Sequence, residues 1–222
     1  MVEGGIVRLD NLLKSIIAIS FLVMVTACNG EDKVTKEIAE HLDATVQIEK
    51  EFEENQEKIF ELEKADEKLY NEIIGLGSDD LAQVQTIAEE AIELLNERME
   101  YVELERTSLE ESREKFEKIE PLIEKVTDEE QNEHLEKMYK TMIERYEAYE
   151  NVYDNYSKSI RLTQELYKLF QQEKFNEKEV YSIIGNVNDS YDNVLEANEL
   201  FNQQTVLYND LKEEYYESFQ EK

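Results

Sequence analysis

His41 and His134 are the only imidazoles that the sequence offers for acid–base or metal chemistry. The di-iron sites of helical bundles need a histidine three residues after a glutamate, whereas Ile38 and Gln131 occupy those positions here. Glutamates are so numerous that pairs arise by chance, and lysines four residues away predict solvated helix faces. The sequence therefore predicts no catalytic residue, no metal ligand and no cofactor, and we expect a protein that is not an enzyme.

Amide and carboxylate side chains cluster late in the chain, at Asn186, Asn188, Asp189 and Asp192. A calcium-binding loop of the EF-hand type needs a glycine at its sixth position and a glutamate at its twelfth, and this cluster has neither. We therefore predict no such loop. Loose binding of calcium or magnesium by surface carboxylates stays open.

Cys28 is the only cysteine, so the chain cannot form an internal disulfide. It directly follows an uncharged, largely apolar run over residues 15–27, which Arg8 and Lys14 precede. Because a membrane-spanning helix needs about 20 apolar residues, this run is too short to span. A basic flank, a short apolar run and small residues at the end are typical of a secretory signal peptide.

Val25, Thr26, Ala27 and Cys28 resemble the lipobox of bacterial lipoproteins, in which an aliphatic residue and two small ones precede the modified cysteine. The resemblance implies transfer of lipid to the Cys28 sulfur, cleavage of the signal peptide just before Cys28, and acyl chains as the membrane anchor. The alternative is an ordinary signal peptide, or a buried N-terminal helix with an incidental cysteine.

Thirteen tyrosines and no tryptophan are present. Four of them follow one another at steps of three, four and three residues: Tyr146, Tyr149, Tyr153 and Tyr156. This spacing places the four rings on one helix face, where exposed rings would be candidates to stack on the sugars of wall glycan. Alternatively the four rings belong to the core, because Met142 and Ile160 continue the same stripe.

The composition favours an all-α fold, since one proline and six glycines in 222 residues leave few places where a helix must stop. The length suits one domain. Lysine and arginine number 24 against 54 aspartates and glutamates, a formal net charge of -30. So acidic a surface repels nucleic acid, and we expect a neutral or cationic partner instead.

Four stripes of apolar residues at helical spacing predict four long helices, roughly over 33–74, 79–120, 128–173 and 177–220. Polar residues interrupt the first two stripes: Asn55 and Asp66, then Arg98 and Ser112. We divide the chain into a signal peptide, a lipidated cysteine with a short tether, and an acidic helical bundle: 1–27, 28–32 and 33–222.

The connections between these helices carry their own signals. Gly75 and Gly77 are predicted to release the first helix, with Ser78 or Asp79 capping the second. Pro121 disfavours helix at the preceding residue, so the chain should bend or break there.

Two capping boxes, Thr127 with Glu130 and Asn176 with Glu179, predict the starts of the third and fourth helices. A hydrophobic staple between Phe175 and Val180 supports the second of these starts.

Four helices of similar length joined by short connections predict a long antiparallel up-and-down bundle about 60 Å long. The tether over residues 29–32 spans roughly 15 Å, so the rod would stand close to the membrane. Its far tip would then carry the turns near residues 75–80 and 175–176.

Residues 25–28, the acidic and tyrosine-rich helical remainder and the turn over 75–80 together resemble the YkyA-type family of cell-wall-binding lipoproteins of Gram-positive bacteria. The resemblance implies a four-helix up-and-down bundle at the cell surface, with no catalytic residues to carry over.

Our leading hypothesis is a non-enzymatic lipoprotein on the outer face of the cell membrane. The bundle would act as spacer and platform and would bind peptidoglycan or another envelope protein. The alternative is a lipoprotein that collects divalent cations, or captures a substrate, for a transporter or a wall enzyme.

Overall fold

The computed structural model describes residues 33–76, 80–174 and 176–220, which form five α-helices. They are α1 (Lys33–Gly75), α2 (Leu81–Phe116), α3 (Glu120–Ile123), α4 (Glu129–Phe170) and α5 (Glu177–Tyr215). A 3₁₀ turn at Glu117–Ile119 joins α2 to α3, and a π-helical turn at Tyr216–Gln220 continues α5. Within the described ranges, no helix is long and apolar enough to cross a membrane.

The four long helices run antiparallel to their neighbours. In each neighbouring pair of helices, a higher residue number in one helix contacts a lower number in the other. Between α1 and α2 the contacts are Gln56 with Glu105 and Asp66 with Arg98. Between α2 and α4 they are Arg106 with Glu150 and Asn96 with Gln164, and between α4 and α5 they are Arg145 with Thr205 and Asn155 with Ser190. The predicted all-α, up-and-down four-helix bundle is confirmed. At 1.5 Å per residue, the 43 residues of α1 make a rod of about 65 Å.

Helices α1 and α2, α2 and α4, and α4 and α5 pack against each other along the bundle. Side chains such as Phe52 of α1 and Phe201 of α5, with ring centroids 6.1 Å apart, close the fourth side. Two apolar clusters fill the interior. One includes Leu69, Ile87 and Ile160 near the tip, and the other includes Ile38, Phe116, Leu135 and Tyr208 near the end where α1 begins. Buried polar residues lie among and between these clusters.

The connection from α2 to α4 follows from Pro121. The regular α-helix stops at Phe116, four residues before the predicted end, and a 3₁₀ turn leads into α3, where proline stands in the first turn. Proline lacks a backbone N–H and fits that position because the first N–H groups of a helix have no partner within it. Leu122 and Ile123 of α3 are buried and close this end of the bundle.

The helix starts show one correction. Asp128, not Thr127, caps α4: its backbone is extended and its Oδ1 accepts a hydrogen bond of 2.9 Å from the N–H of Gln131. Both residue types cap well, so the choice depends on where the incoming chain turns into the helix. Asn176 caps α5 as predicted, accepting from the N–H of Lys178 at 3.0 Å. Gly77, Ser78, Asp79 and Phe175 lie outside the described residues.

Candidate functional site

The four tyrosines of the predicted stripe all lie on α4, and three of them are buried. Tyr146 and Tyr149 are each 3% exposed and Tyr156 is 8% exposed. The Tyr146 hydroxyl lies 2.7 Å from the Ser112 hydroxyl, and the Tyr156 hydroxyl donates to Glu63. Since less than a tenth of each side chain is exposed, these three rings belong to the core and do not form an exposed stacking surface.

Tyr153 differs from the other three because it reaches the surface between α2 and α4. Its hydroxyl donates a hydrogen bond of 2.6 Å to Glu103. The guanidinium of Arg106 lies over its ring, 4.4 Å from the centroid, which is within the range of a cation–π contact. Tyr153 is therefore the member of the stripe that stands beside solvent.

Next to Tyr153, a cleft of about 240 Å³ runs between α2 and α4, and we call it the α2–α4 cleft. Its lining residues are Arg106, Leu109, Glu110, Arg113, Tyr146, Tyr149 and Glu150. Leu109 and the two tyrosines are buried and form an apolar base, while the charged side chains are partly exposed at the rim.

Opposite charges are paired at the rim of the α2–α4 cleft. Arg106 contacts Glu110 at 3.2 Å on its own helix and Glu150 at 3.1 Å across the cleft. Arg113 binds Glu117 at 2.7 Å, and this hydrogen bond raises the pKa of the Arg113 guanidinium. The charged residues that line the cleft are two arginines and two glutamates, so their charges cancel, on a chain whose net charge is -30.

This arrangement combines an apolar base, an aromatic edge and a rim of fixed hydrogen-bond donors and acceptors. Small-molecule sites are concave and mostly apolar, with a few placed polar groups that fix orientation. Because the rim is nearly neutral, it suits an uncharged, hydroxyl-rich ligand better than an anionic one, which the surrounding carboxylates would repel.

The sequence did not single out Arg106, Arg113 or Glu150. The available signal was the spacing of the two arginines, seven residues apart on one face of α2 in a chain with few basic residues. The spacing alone could not predict that α4 lies opposite these arginines and forms the other side of the cleft.

Inside the bundle, Glu49 and Arg145 form a buried ion pair. Arg145 donates from Nη1 and Nη2 to the two carboxylate oxygens of Glu49, both at 3.0 Å, and from Nε to Thr205 at 2.9 Å. Ser112 also donates to Glu49, at 2.7 Å. We call these residues with Tyr146 the Glu49 cluster; here each charge has a counter-charge and several hydrogen bonds.

A second buried group surrounds Arg98, and we call it the Arg98 cluster. It comprises Arg98, Asp66, Glu63, Tyr156, Tyr167 and Tyr191. Nη1 of Arg98 lies 3.4 Å from Asp66, and Tyr167 donates to Asp66 at 2.6 Å. Burial raises the pKa of Glu63 and of Asp66, although Arg98 acts in the opposite direction on both.

Glu105 of α2 lies between these two clusters and is 6% exposed. It accepts a hydrogen bond of 3.2 Å from the side-chain amide of Gln56. Burial raises the pKa of Glu105 to about 8, and the nearby Glu63 adds to the rise.

The remaining sequence candidates do not meet in one place. A ring nitrogen of His134 forms a hydrogen bond of 2.7 Å with the backbone carbonyl of Leu211. The pKa of His41 is lowered, first by burial and then by the positive charge of Lys115. Asn186, Asn188, Asp189 and Asp192 lie within α5, on a continuous helix and not in a loop. Among the described residues, no three histidine, cysteine, aspartate or glutamate side chains are grouped as a metal site.

The signal for lipidation, Val25, Thr26, Ala27 and Cys28, lies outside the described residues.

Comparison with known sequences gives two matches. Residues 33–218 match the model of the YkyA family, which is described as "Putative cell-wall binding lipoprotein". The chain is also 28% identical over 196 residues to "Uncharacterized lipoprotein YkyA" of Bacillus subtilis (strain 168), covering 88% of this chain and 87% of that protein.

Among solved structures, the bundle is similar to that of a conserved protein of unknown function from Staphylococcus aureus, determined by crystallography. The TM-score is 0.71, with 16% identity, 86% of this chain covered and 97% of that chain covered. At this identity the likeness shows the fold alone.

Proposed function

The chain belongs to the YkyA family of cell-wall binding lipoproteins, and from this premise we propose that it is a non-enzymatic lipoprotein that binds wall polysaccharide from the outer face of the membrane. The α2–α4 cleft is the site at which the polysaccharide binds. The rod serves as spacer, with its tip about 65 Å from the end where α1 begins.

The anchor in this proposal is acyl chains on Cys28. Because α1 begins at Lys33, only four residues separate the modified sulfur from the bundle, and the rod stands directly on the membrane. Changing Cys28 to Ala should leave the protein as an unprocessed precursor of higher mass, because the leader is cut only after lipid transfer. Fractionation and mass spectrometry test this, and unchanged size and unchanged acylation would contradict it.

The observation that supports the site most is the near-neutral charge of the α2–α4 cleft on an otherwise acidic surface. An anionic wall polymer is repelled by the carboxylates around the cleft, while an uncharged glycan is not. Paired arginines and glutamates hold their donors and acceptors in fixed directions, as recognition of the hydroxyl and acetamido groups of a wall glycan requires. The half-buried ring of Tyr153 extends the apolar surface at the edge of the cleft.

Sedimentation with purified peptidoglycan tests binding, using the soluble segment that starts at Asn29. Arg106→Ala and Arg113→Ala should each reduce the bound fraction, since both remove rim groups of the cleft. Lys58→Ala is the matched control, because Lys58 forms a similar exposed ion pair with Glu61 on α1, outside the cleft. If the control and the cleft variants bind alike, the cleft is not the site.

A chelator added to the same experiment separates this proposal from the alternative in which the protein collects divalent cations. The composition favours that alternative, since 54 residues are acidic and 24 are basic. Binding that persists with chelator supports direct recognition of glycan. Binding that disappears indicates that divalent cations bridge carboxylates to the wall. No binding under either condition would contradict the wall-binding proposal and direct the search to an envelope protein.

A further inference from the structure

The middle of the bundle buries more carboxyl groups than cations. Glu63, Asp66 and Glu105 are 6%, 1% and 6% exposed, and Arg98, fully buried, is the cation that the described residues bring to them. Arg98 approaches Asp66 at 3.4 Å, while Glu105 has the uncharged amide of Gln56 as its hydrogen-bond donor. Three carboxyls therefore face a single positive charge.

An ionised carboxylate buried without a counter-charge is costly, and such groups usually take up a proton instead. Arg98 balances one negative charge, which belongs to Asp66 by distance. Glu63 accepts a hydrogen bond from Tyr156, a neutral donor, and Glu105 accepts one from Gln56. Of the three, Glu105 is the carboxyl that has no cation beside it in the part of the chain that the structure describes.

We propose that the middle of the bundle holds a proton on Glu105 at neutral pH, and that loss of this proton in alkaline medium loosens the central part of the rod while the Glu49 cluster stays closed. The device is a pH-sensitive joint built into the core. It does not depend on the proposed wall binding.

The groups that face this joint come from all four long helices. α1 contributes Glu63, Asp66 and the neutral Gln56, and α2 contributes Arg98. α4 and α5 contribute the tyrosines Tyr149, Tyr156, Tyr167 and Tyr191, whose pKa values are all raised, chiefly by burial. Each of these tyrosines is therefore uncharged near pH 8, and none of them brings a positive charge to Glu105.

The direction of the response follows from proton linkage. Burial raises the pKa of Glu105 from its ordinary value of 4.5 to about 8 in the folded chain, so the folded state keeps a proton that the opened state releases. Opening therefore becomes more favourable as the pH rises from about 4.5 to about 8, and it levels off above that range. Between about pH 6.5 and about pH 9, the local opening constant should rise about thirty-fold.

Two measurements on the soluble segment from Asn29 onward test the joint. Carbon-13 NMR of labelled glutamate carboxyls reports the ionisation of Glu105 directly in the unmodified chain. Hydrogen exchange, corrected for its intrinsic pH dependence, reports opening of residues 56–66 and 98–105, with residues 42–49 as internal reference. We expect a protonated Glu105 at about pH 6.5, and the thirty-fold rise in the two central segments alone.

Glu105→Gln should remove the pH response of the central segments, because the amide cannot ionise. Glu100→Gln, an exposed change on the same helix, is the matched control and should retain it. A Glu105 carboxyl already ionised at about pH 6.5 would overturn the proposal, and so would a pH response that survives in Glu105→Gln.

Discussion

The Glu49 cluster and the Arg98 cluster bury the same chemical groups in the same bundle, yet they differ in charge balance. Glu49 meets Arg145 through two hydrogen bonds of 3.0 Å, and Thr205 takes the remaining Nε–H. In the Arg98 cluster, one guanidinium acts on both Glu63 and Asp66, and it lies 3.4 Å from Asp66. Nε of Arg98 is buried without a hydrogen-bond partner among the described residues.

The difference teaches what a helical core needs in order to hold charge. A buried pair that is matched in number and geometry is tolerated, because Coulomb attraction and hydrogen bonds offset the loss of solvation. A group with more carboxyls than cations must use protons or tyrosine hydroxyls in place of cations. In the second kind of cluster, burial raises the pKa values of Glu63 and Asp66.

Removing the cation of the matched pair should have the largest effect. Arg145→Met leaves Glu49 buried without a counter-charge, and we expect the free energy of unfolding to fall by about 3–5 kcal/mol at pH 7. Urea denaturation measures the change. Lys140→Met, at an exposed ion pair on the same helix, should change stability by less than about 1 kcal/mol. Equal losses in the two variants would mean that the buried pair has no special role.

Glu105→Gln should change stability in the opposite direction. Below pH 4.5 the Glu105 carboxyl is neutral in the folded and the unfolded state, so it does not change the free energy of unfolding. As the pH rises to about 8, its raised pKa lowers the free energy of unfolding progressively. At pH 7 the variant should therefore be more stable by up to about 3 kcal/mol, with a smaller gain at pH 5. Thermal or urea unfolding at the two pH values checks this, and a gain independent of pH would contradict the assignment.

The tyrosine hydroxyls should give the smallest effects, and these should differ between the clusters. Tyr167→Phe removes the short hydrogen bond to Asp66 and should cost about 1–3 kcal/mol, because the remaining contact with Arg98 is long. Tyr146→Phe should cost about 0.5–1.5 kcal/mol, since Glu49 keeps Arg145 and Ser112. The reverse order in urea denaturation would show that the Arg98 cluster is the better satisfied of the two.

The fold was predictable because apolar residues at helical spacing and short connections leave few arrangements for four long helices. Within those stripes, Asp66, Arg98 and Ser112 stood out as polar interruptions. The structure gives their reason: Asp66 meets Arg98 across α1 and α2, and Ser112 meets Glu49. The residues were visible in the sequence, but their pairing was not, since it depends on the register between helices.

Glu49, Glu63 and Glu105 could not be distinguished so readily from the many solvated carboxylates. Glu49 and Glu63 are fourteen residues apart, with Gln56 midway, so each falls at the same position of a heptad as the buried Leu42. A heptad count could have marked them as core positions. It could not have shown that Glu63 shares a cation, whereas Glu49 has its own.

The tyrosine stripe shows the limit of spacing as a guide to a binding surface. A common helix face did follow from the steps of three and four, but exposure depends on the neighbouring helices. Tyr153 is partly exposed because it lies beside Arg106 at the boundary with α2, while Tyr149 packs under Phe52 and Phe201. The α2–α4 cleft was missed for the same reason.

An even number of long helices returns the polypeptide to the side from which it started, so Lys33 and Tyr215 lie at one end of the rod. A short peptide could join these two ends while new termini are opened in the connection between α1 and α2 at the opposite end. Such a circular permutant would keep each pairing of the core yet present its terminus at the other pole. Attached to a surface by that terminus, the rod would stand upside down.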